Sequence, residues 1–516
     1  MTPHMPNRPA QFVMAVLLAG TLVVPQACTD LAESPFSVIT PENFYQNDDQ
    51  VRSGLAAVYS QFNTASTGNF RYMSMIPTDD DVIPVRGQDW FDNGAHLEAQ
   101  RHTWQAASPL TLGTINSAWV QNFTGVARAN VLLAAIANLP LSNKPRTIAE
   151  ARALRAYFYY NLMDLFGGVP IVLDAAVMPR ERATRAATFA FIEKELTEAR
   201  VDLPVSWPAS DYGRATKGWA DAMLASMYLN AEAFTGTVTT SGLQKGAAQW
   251  QKASDAADRV IANTAYTLTT DQAANFRADN NTSPEIVMVS TRRPEAGLSF
   301  NPIGNSLHYN QFSPSPNNGW SIEAPTYRKY DPADKRRAAL LEGPQFNIVT
   351  GAAVNDRAGV RLNFSIDIPD ITQATEGNGT RPYKWPFDPA RSGTNHGNDY
   401  AIYRLAEILL IKAEALNELG RTAEAIPLIN QVRARAFSPP KPVSTTLTQA
   451  ETRAAIFDER QFELIEEGKR RQDMIRQGTY LAAGWNKPVS APYFVLLPIP
   501  QPQMDANPLL VQNAGY

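Results

Sequence analysis

The chain has 516 residues, with 46 lysine and arginine residues against 50 aspartate and glutamate residues, and a single cysteine. A formal net charge of −4 argues against general nucleic-acid binding, which requires a surplus of cationic side chains to neutralise phosphates. Because 44% of the residues are hydrophobic and 19% are charged, a large buried core is feasible. One cysteine forms no internal disulfide, and five scattered histidines leave little material for a zinc site.

The N-terminal segment has the pattern of a secretory signal. Its apolar run from Phe12 to Val24 is too short to span a bilayer as a helix, which takes about 20 residues, but is typical of a signal h-region. Cys28 lies just beyond this run. The pattern predicts a lipoprotein-type signal peptide over residues 1–27, with lipid on Cys28 and a tether over residues 28–40. The alternative is an ordinary cleaved signal followed by an unrelated cysteine.

Several segments between residues 118 and 470 show helical periodicity and recognisable ends. Thr147 and Glu150 fit a capping box at the start of one helix, and Gly167 followed by Gly168 fits its end. Three tryptophans in helical pattern are predicted to lie in the core, namely Trp119, Trp219 and Trp250.

The segment 403–436 predicts a helical hairpin. Leu405, Leu409 and Leu416 share one helix face, Gly420 breaks the chain, and a second amphipathic helix follows. This segment resembles a tetratricopeptide repeat, in which helical hairpins stack side by side. Because one hairpin cannot bury its own apolar face, the other helices are its expected neighbours. The sequence therefore predicts a mainly α fold of stacked tetratricopeptide-like helical pairs, an α/α superhelix.

Residues 281–400 differ from the rest of the chain. They contain 12 prolines and 10 glycines, yet they keep 12 aromatic residues. A flexible linker lacks such aromatic content, so the composition predicts a folded, loop-rich insertion with short strands at most. Such a region favours a binding surface over a spacer.

Seven segments in chain order share a further pattern: CTDLAESP at 28–35, PENFYQNDDQVRSGLAAVYSQF at 41–62, EARALRAYFYYNLMDLFGGVPIV at 150–172, GRATKGWADAMLASMYL at 213–229, YAIYRLAEILLIKAEALNELG at 400–420, IFDERQFELIEEGKRRQDMIRQG at 456–478 and LLPIPQPQMDANPLLVQNAGY at 496–516. Together they resemble the SusD/RagB-like outer-membrane nutrient-binding lipoproteins. The resemblance covers nearly the whole chain.

The resemblance implies a SusD-like N-terminal helical region over residues 41–280 and a RagB/SusD C-terminal region over residues 281–516. The second region would comprise the loop-rich part 281–400, a helical part 401–480 and an extended tail 481–516. The resemblance also implies a lipid anchor at Cys28 and a position on the surface of a Gram-negative outer membrane. The implied partner is a SusC-like TonB-dependent transporter barrel, and no cofactor is implied.

Sequence signatures of enzymes are absent: the chain contains no phosphate-binding loop, no GxSxG elbow and no HExxH pair. The acidic and basic residues of Glu451–Arg476 predict a salt-bridged helix, with Glu466–Arg470 and Glu467–Arg471 as i,i+4 pairs. The alternative is a catalytic carboxylate pair in that segment.

Recognition of a sugar requires flat apolar surfaces for the pyranose C–H faces and a few polar groups for the hydroxyls. Three aromatic clusters lie in polar or Gly- and Pro-containing segments: residues 81–94, 305–327 and 381–389. Asp80, in the acidic run 79–81, offers a carboxylate that binds either Ca²⁺ or hydroxyl groups, unless this run is simply an exposed turn. The predicted glycan-binding residues are Asp80, Arg86, Asp89, Trp90, Phe91, Tyr309, Trp320 and Trp385.

The sequence therefore predicts a non-enzymatic surface protein that binds oligosaccharides and delivers them to a SusC-like barrel. Three alternatives remain open at this point. The same fold would serve for capture of peptides or another nutrient, a secreted glycoside hydrolase would use two carboxylates, and a repeat scaffold would bind protein only.

Overall fold

The computed structural model describes residues 44–516, so the predicted signal and Cys28 lie outside the described residues. The fold is mainly helical, as predicted. The α-helices are α1 (Asp48–Thr67), α2 (Asn69–Met75), α3 (Ala95–Arg101), α4 (Asn116–Ile136), α5 (Lys144–Phe166), α6 (Arg185–Asp202), α7 (Lys217–Leu229), α8 (Ala231–Phe234), α9 (Trp250–Ile261), α10 (Pro302–Ser306), α11 (Ala324–Lys329), α12 (Leu405–Glu418), α13 (Thr422–Arg433), α14 (Gln449–Leu464), α15 (Arg470–Gln477) and α16 (Gln501–Ala506).

The strands are short and pair only in twos. The antiparallel pairs are β1 (Asp81–Val82) with β5 (Ser321–Ile322), β2 (Thr237–Thr239) with β3 (Gly242–Gln244), β4 (Ile286–Ser290) with β10 (Tyr400–Arg404), β6 (Leu340–Leu341) with β9 (Arg381–Pro382), and β7 (Gly343–Pro344) with β8 (Asn363–Phe364). Most of these strands lie within residues 281–400, which confirms a folded, loop-rich insertion.

The long helices pack in one continuous order. Helix α1 packs on α4, α4 on α5, α5 on α6, α6 on α7, α7 on α9 and α9 on α12. Helix α12 then packs against both α13 and α14. Each helix between the two ends of this order therefore lies between two others, which is the arrangement of stacked helical pairs predicted from the sequence.

Helix α5 lies in the middle of this stack, and nearly all of its residues from Ala149 to its end at Phe166 are buried. Its contact with α4 is close because Gly125 has no side chain there: a Cβ at that position would lie 2.4 Å from the ring of Phe158. Gly167 ends the helix with a φ of 76°, a conformation that glycine adopts without strain.

The predicted helical hairpin is confirmed as α12 and α13, joined by a turn in which Gly420 has a φ of 77°. The predicted capping box at Thr147 is wrong, because α5 begins three residues earlier, at Lys144. The Glu150 carboxylate binds Arg214 instead, at 2.6 Å between Oε1 and Nη2.

The segment Glu451–Arg476 is not one salt-bridged helix, and the predicted i,i+4 pairs are wrong. Helix α14 ends at Leu464 and α15 begins at Arg470, and between them Glu466 and Gly468 both have a φ of 70°. The charged side chains pair with distant parts of the chain: Glu466 with Arg71 at 2.7 Å, Arg470 with Asp79 at 2.6 Å, and Arg471 with Asp164 at 3.0 Å. The ion-pair partners of these side chains are therefore determined by how the break between α14 and α15 packs inside the protein, and not by spacing along a helix surface.

A buried ionic network joins the start of α12 to the end of α14. The Arg404 side chain is fully buried and lies 2.6 Å from Glu285, 3.0 Å from Glu463 and 2.6 Å from Glu467. Burial alone would raise the pKa of the Glu285 carboxyl, but Arg404 and Arg435 lower it to about 2. The Glu285 carboxylate is therefore ionised at neutral pH, and the network fixes the loop-rich insertion to the helical stack.

Within residues 44–516, no helix combines the length and apolar character needed to cross a bilayer. In the same part of the chain, no group of three or more histidine, cysteine, aspartate or glutamate side chains is placed to hold a metal ion.

Candidate functional site

The loop that follows β1 has an unusual backbone. Arg86 and Asp89 pair through their main chains, with the Arg86 N–H donating to the Asp89 carbonyl at 2.9 Å and the reverse bond at 3.0 Å. Trp90, Asp92 and Asn93 then adopt φ values of 64°, 42° and 53°. Residues other than glycine rarely adopt this left-handed backbone conformation, because it is strained for them. Such backbone strain is concentrated at functional sites. The loop is therefore a candidate site on its backbone geometry alone.

Trp90 is held in place from the other half of the chain. Its indole Nε1 donates to the carbonyl oxygen of Asn317 at 2.6 Å. Its ring packs so closely on Gly319 that a Cβ there would lie 2.3 Å from the ring. The side chain stays half-buried, so the indole is fixed without being enclosed.

Asp89 links this loop to Tyr309, which the sequence predicted as a site residue, and to Arg357, which it did not predict. The Tyr309 hydroxyl donates to Asp89 Oδ2 at 2.6 Å, and Arg357 Nη2 donates to the same oxygen at 2.9 Å. The Arg357 guanidinium also lies 4.3 Å from the centre of the Tyr309 ring. Partial burial and the bond to Asp89 raise the pKa of the Tyr309 hydroxyl to about 12, so it remains a donor at neutral pH.

Glu376 anchors Arg357 from behind. Its Oε2 accepts from the Arg357 backbone N–H at 2.9 Å and lies 2.8 Å from His308 Nε2, while Oε1 accepts from Arg357 Nε. Burial alone would raise the pKa of the Glu376 carboxyl, but the bonds from Arg357 and His308 lower it. The carboxylate therefore stays ionised and holds the guanidinium in a fixed position.

Phe91 extends the apolar part of the site, since 54% of its side chain is exposed. We call Asp89, Trp90, Phe91, Tyr309 and Arg357 together the aromatic surface. It combines half-buried and exposed rings with a carboxylate, a hydroxyl and a guanidinium that are already hydrogen-bonded to one another. Such an open surface suits a flat ligand with many hydroxyl groups.

Arg86 and Asp80 do not reach this surface. Arg86 is only 2% exposed, and its guanidinium donates to Ser321 Oγ at 2.9 Å and to the Asn378 carbonyl at 2.8 Å. Asp80 is likewise 2% exposed, and Gln461 Nε2 donates to its Oδ1 at 2.9 Å. Both side chains support the loop from inside the protein and present no atom to a ligand in this conformation.

Trp320 and Trp385 are also buried, 9% and 1% exposed. Trp385 lies within 5.4 Å, centre to centre, of the Phe300 and Tyr400 rings, and its Nε1 donates to the Asp399 carbonyl at 3.0 Å. The Arg71 guanidinium lies 5.3 Å from the Trp320 ring. Both indoles thus pack the insertion onto the helices and leave no ring face open to solvent.

Sequence reasoning missed Arg357, Glu376 and Asn317. The nearest of them to Trp90 in the chain, Asn317, is 227 residues away, and it is the only one of the three that belongs to an aromatic cluster, 305–327. No local spacing connects these residues, so nothing in the sequence identified them. Only the fold brings them to the aromatic surface.

Asp80 makes the stability of the protein depend on pH. Its burial raises the pKa of the carboxyl to about 7, with neighbouring Asp79 adding to the effect and Arg470 opposing it. The folded state therefore holds a proton that the unfolded state releases near pH 4, so stability falls as pH rises between these values. We expect wild-type protein to lose about 3 kcal/mol more than the Asp80→Asn variant between pH 4 and pH 7, measured by urea unfolding.

The matched control is Asp331→Asn, at an exposed carboxyl whose pKa is lowered by a hydrogen bond from Lys441. It should leave the fall in stability between pH 4 and pH 7 intact. Parallel stability curves for wild type and Asp80→Asn would show that Asp80 carries no bound proton.

The fold and the aromatic surface define a class: a helical-repeat protein with an open, preorganised surface for a ligand, made by loops. Comparisons with known proteins identify the family. The model of the SusD family matches residues 265–516, and a model described as starch-binding associating with outer membrane matches residues 52–229. The chain belongs to the SusD/RagB family.

The relatives are similar over most of their length. The SusD-like protein P25 of Formosa agariphila is 26% identical, over 94% of this chain and 96% of its own. The starch-binding protein SusD of Bacteroides thetaiotaomicron is 27% identical, over 72% and 73% of the two chains. A solved laminarin-binding SusD-like protein superposes with a TM-score of 0.71 at 24% identity, over 92% of this chain and all of its own. At that identity the superposition shows the shared fold.

Proposed function

We propose that this protein captures oligosaccharides at the aromatic surface and delivers them to a transporter without chemical conversion. The observation that carries the proposal is the fixed position of Trp90, whose Nε1 is bound to Asn317 while the side chain stays half-buried. A fixed ring binds a pyranose face at a low entropic cost. Two similar proteins are described as starch-binding and laminarin-binding, which supports a glucan as the cargo.

The polar groups of the aromatic surface would orient the sugar. Asp89 has lone pairs left for hydroxyl donors, and Arg357 presents further N–H groups. Because Tyr309 and Glu376 already fix both side chains, binding requires little rearrangement. In this proposal the rings supply the affinity, and the charged groups select the orientation of the hydroxyls.

We also propose the arrangement in the cell and along the chain. Cys28 carries a lipid that anchors the protein to the outer membrane, and a SusC-like TonB-dependent barrel receives the sugar. Residues 41–280 form the helical region that holds Trp90, and residues 281–516 form the region that contributes Tyr309 and Arg357. The ligand would bind where loops of the two regions meet. The barrel partner is tested by co-purification from detergent-solubilised outer membranes, and its absence from the complex would contradict delivery to it.

Calorimetric titration tests the cargo. The purified protein is titrated with maltoheptaose, laminarihexaose and a panel of oligopeptides. We expect saturable heat with one glucan series. Heat that continues without saturation would indicate turnover and favour a glycoside hydrolase, and a signal from peptides alone would favour peptide capture in the same fold.

Replacing the proposed lipid acceptor should release the protein from the membrane. We expect the mature wild-type protein to enter the detergent-rich phase on Triton X-114 separation, because an acyl chain contributes about 0.8 kcal/mol per buried CH₂. The Cys28→Ser variant should remain in the aqueous phase or keep its uncleaved signal. Equal partitioning of correctly processed wild-type and variant proteins would contradict lipidation at Cys28.

A further inference from the structure

A cavity lies among the helices, and none of the residues that line it belongs to the aromatic surface. Its volume is about 330 Å³, and its lining includes Trp250, Glu418 and Arg453. This volume falls within the range of about 300–1,000 Å³ that small-ligand pockets occupy.

Trp250, the first residue of α9, supplies the cavity with an aromatic wall. The sequence predicted a core position for it, as the structure confirms for Trp119 and Trp219. Trp250 is instead half-buried: it packs against the core and also lines the cavity. One part of the Trp250 indole therefore packs on the core, and another part borders the cavity.

The polar walls of the cavity are ion pairs in fixed geometry. Arg453 binds Glu418 through two bonds, of 2.6 and 2.7 Å, and Arg476 binds Glu414 through two bonds, of 2.6 and 2.8 Å. Bidentate pairs of this kind hold both partners in one orientation. Each oxygen of the Glu418 carboxylate accepts one of these bonds and keeps lone-pair capacity for a further donor, whereas Glu414 Oε1 also accepts from Gln477 Nε2 at 2.9 Å.

The charges that line the cavity cancel. The remaining pair is Lys245 with Glu232, at 3.3 Å, so three cations face three carboxylates and each has a partner. A lining of this kind gives no net attraction for an ion of either sign. It favours a neutral ligand that has both hydroxyl groups and an apolar face.

We propose that the cavity beside Trp250 is a second saccharide-binding site, separate from the aromatic surface. The indole packs on the C–H face of one sugar residue, and the Glu418–Arg453 pair binds its hydroxyls. The choice of a glucan as ligand rests on the proposed function. A second site would let one protein hold a long chain at two points, which raises the overall affinity by effective concentration.

Fluorine NMR of the full chain labelled with 5-fluorotryptophan tests each site separately. Trp250→Phe and Trp90→Phe assign the two resonances, and the resonance of buried Trp219 is the internal control. Laminarihexaose and maltoheptaose are the probes. We expect one of them to shift the Trp250 resonance in a saturable way, in wild-type protein and in the Trp90→Ala variant.

The outcomes separate the two proposals. A Trp250 resonance that neither probe moves overturns the second site, whatever Trp90 does. A shift at Trp250 without one at Trp90 supports the second site and contradicts the proposed function of the aromatic surface. We further expect Glu418→Gln to weaken the Trp250 titration about tenfold, because it breaks the pair with Arg453. Glu424→Gln, at the exposed pair with Arg421, should leave it unchanged.

Discussion

Replacing Arg404 by methionine is expected to lower the free energy of unfolding by about 3–5 kcal/mol. The substitution keeps much of the side-chain volume but removes the cation that Glu285, Glu463 and Glu467 share. Those carboxylates are fully buried, so they would lose a partner with no water to replace it. Urea unfolding at pH 7 measures the change.

The matched control for this prediction is Arg421→Met. Arg421 also binds a carboxylate at 2.6 Å, that of Glu424, but both side chains are about half exposed. Solvent screens an exposed pair and leaves it little net stabilising effect, so this variant should unfold close to wild type. Equal losses in the two variants would show that burial does not determine the strength of these pairs.

Replacing Trp90 by alanine is expected to weaken oligosaccharide binding by at least about 30-fold, measured by calorimetry with whichever glucan binds wild type. The indole is the largest ring of the aromatic surface, and its bond to Asn317 fixes its position. Truncation therefore removes both contact area and the rigidity of that area. Phe91→Ala, at a side chain that is 54% exposed, should weaken binding with no change in thermal unfolding.

Trp207→Ala is the control for loss of a tryptophan elsewhere. Trp207 is also half-buried, and the Arg214 guanidinium lies 3.9 Å from the centre of its ring. It lies outside the aromatic surface, so its replacement should leave binding unchanged. Unchanged affinity in a folded Trp90→Ala variant would place the ligand elsewhere.

The sequence predicted the helical stack well because helices are local. The 3.6-residue period of α12 and α13, with Gly420 between them, depends on residues close in the chain. The composition of residues 281–400 likewise identified the insertion before its short strands were known. Family membership followed from segments in fixed order, each formed by neighbouring residues.

Candidate site residues were predicted less evenly, because exposure is not a local property. Trp90, Trp320 and Trp385 occur in similar polar, loop-like segments, yet only Trp90 keeps an open side chain. The difference arises from what each loop packs against after folding. Trp250 shows the reverse case, since its helical pattern predicted core while the fold left it at a cavity wall.

The sequence by itself determined the helices, the loop-rich insertion and the family. Tertiary structure alone decided which charges pair and which rings stay open: Glu466 binds Arg71 across 395 positions of sequence, and Trp90 binds Asn317 across 227. Helical periodicity reflects hydrogen bonds between residues four apart, which the local sequence encodes. Burial and long-range pairing reflect the free energy of the whole packed chain, which no short segment contains.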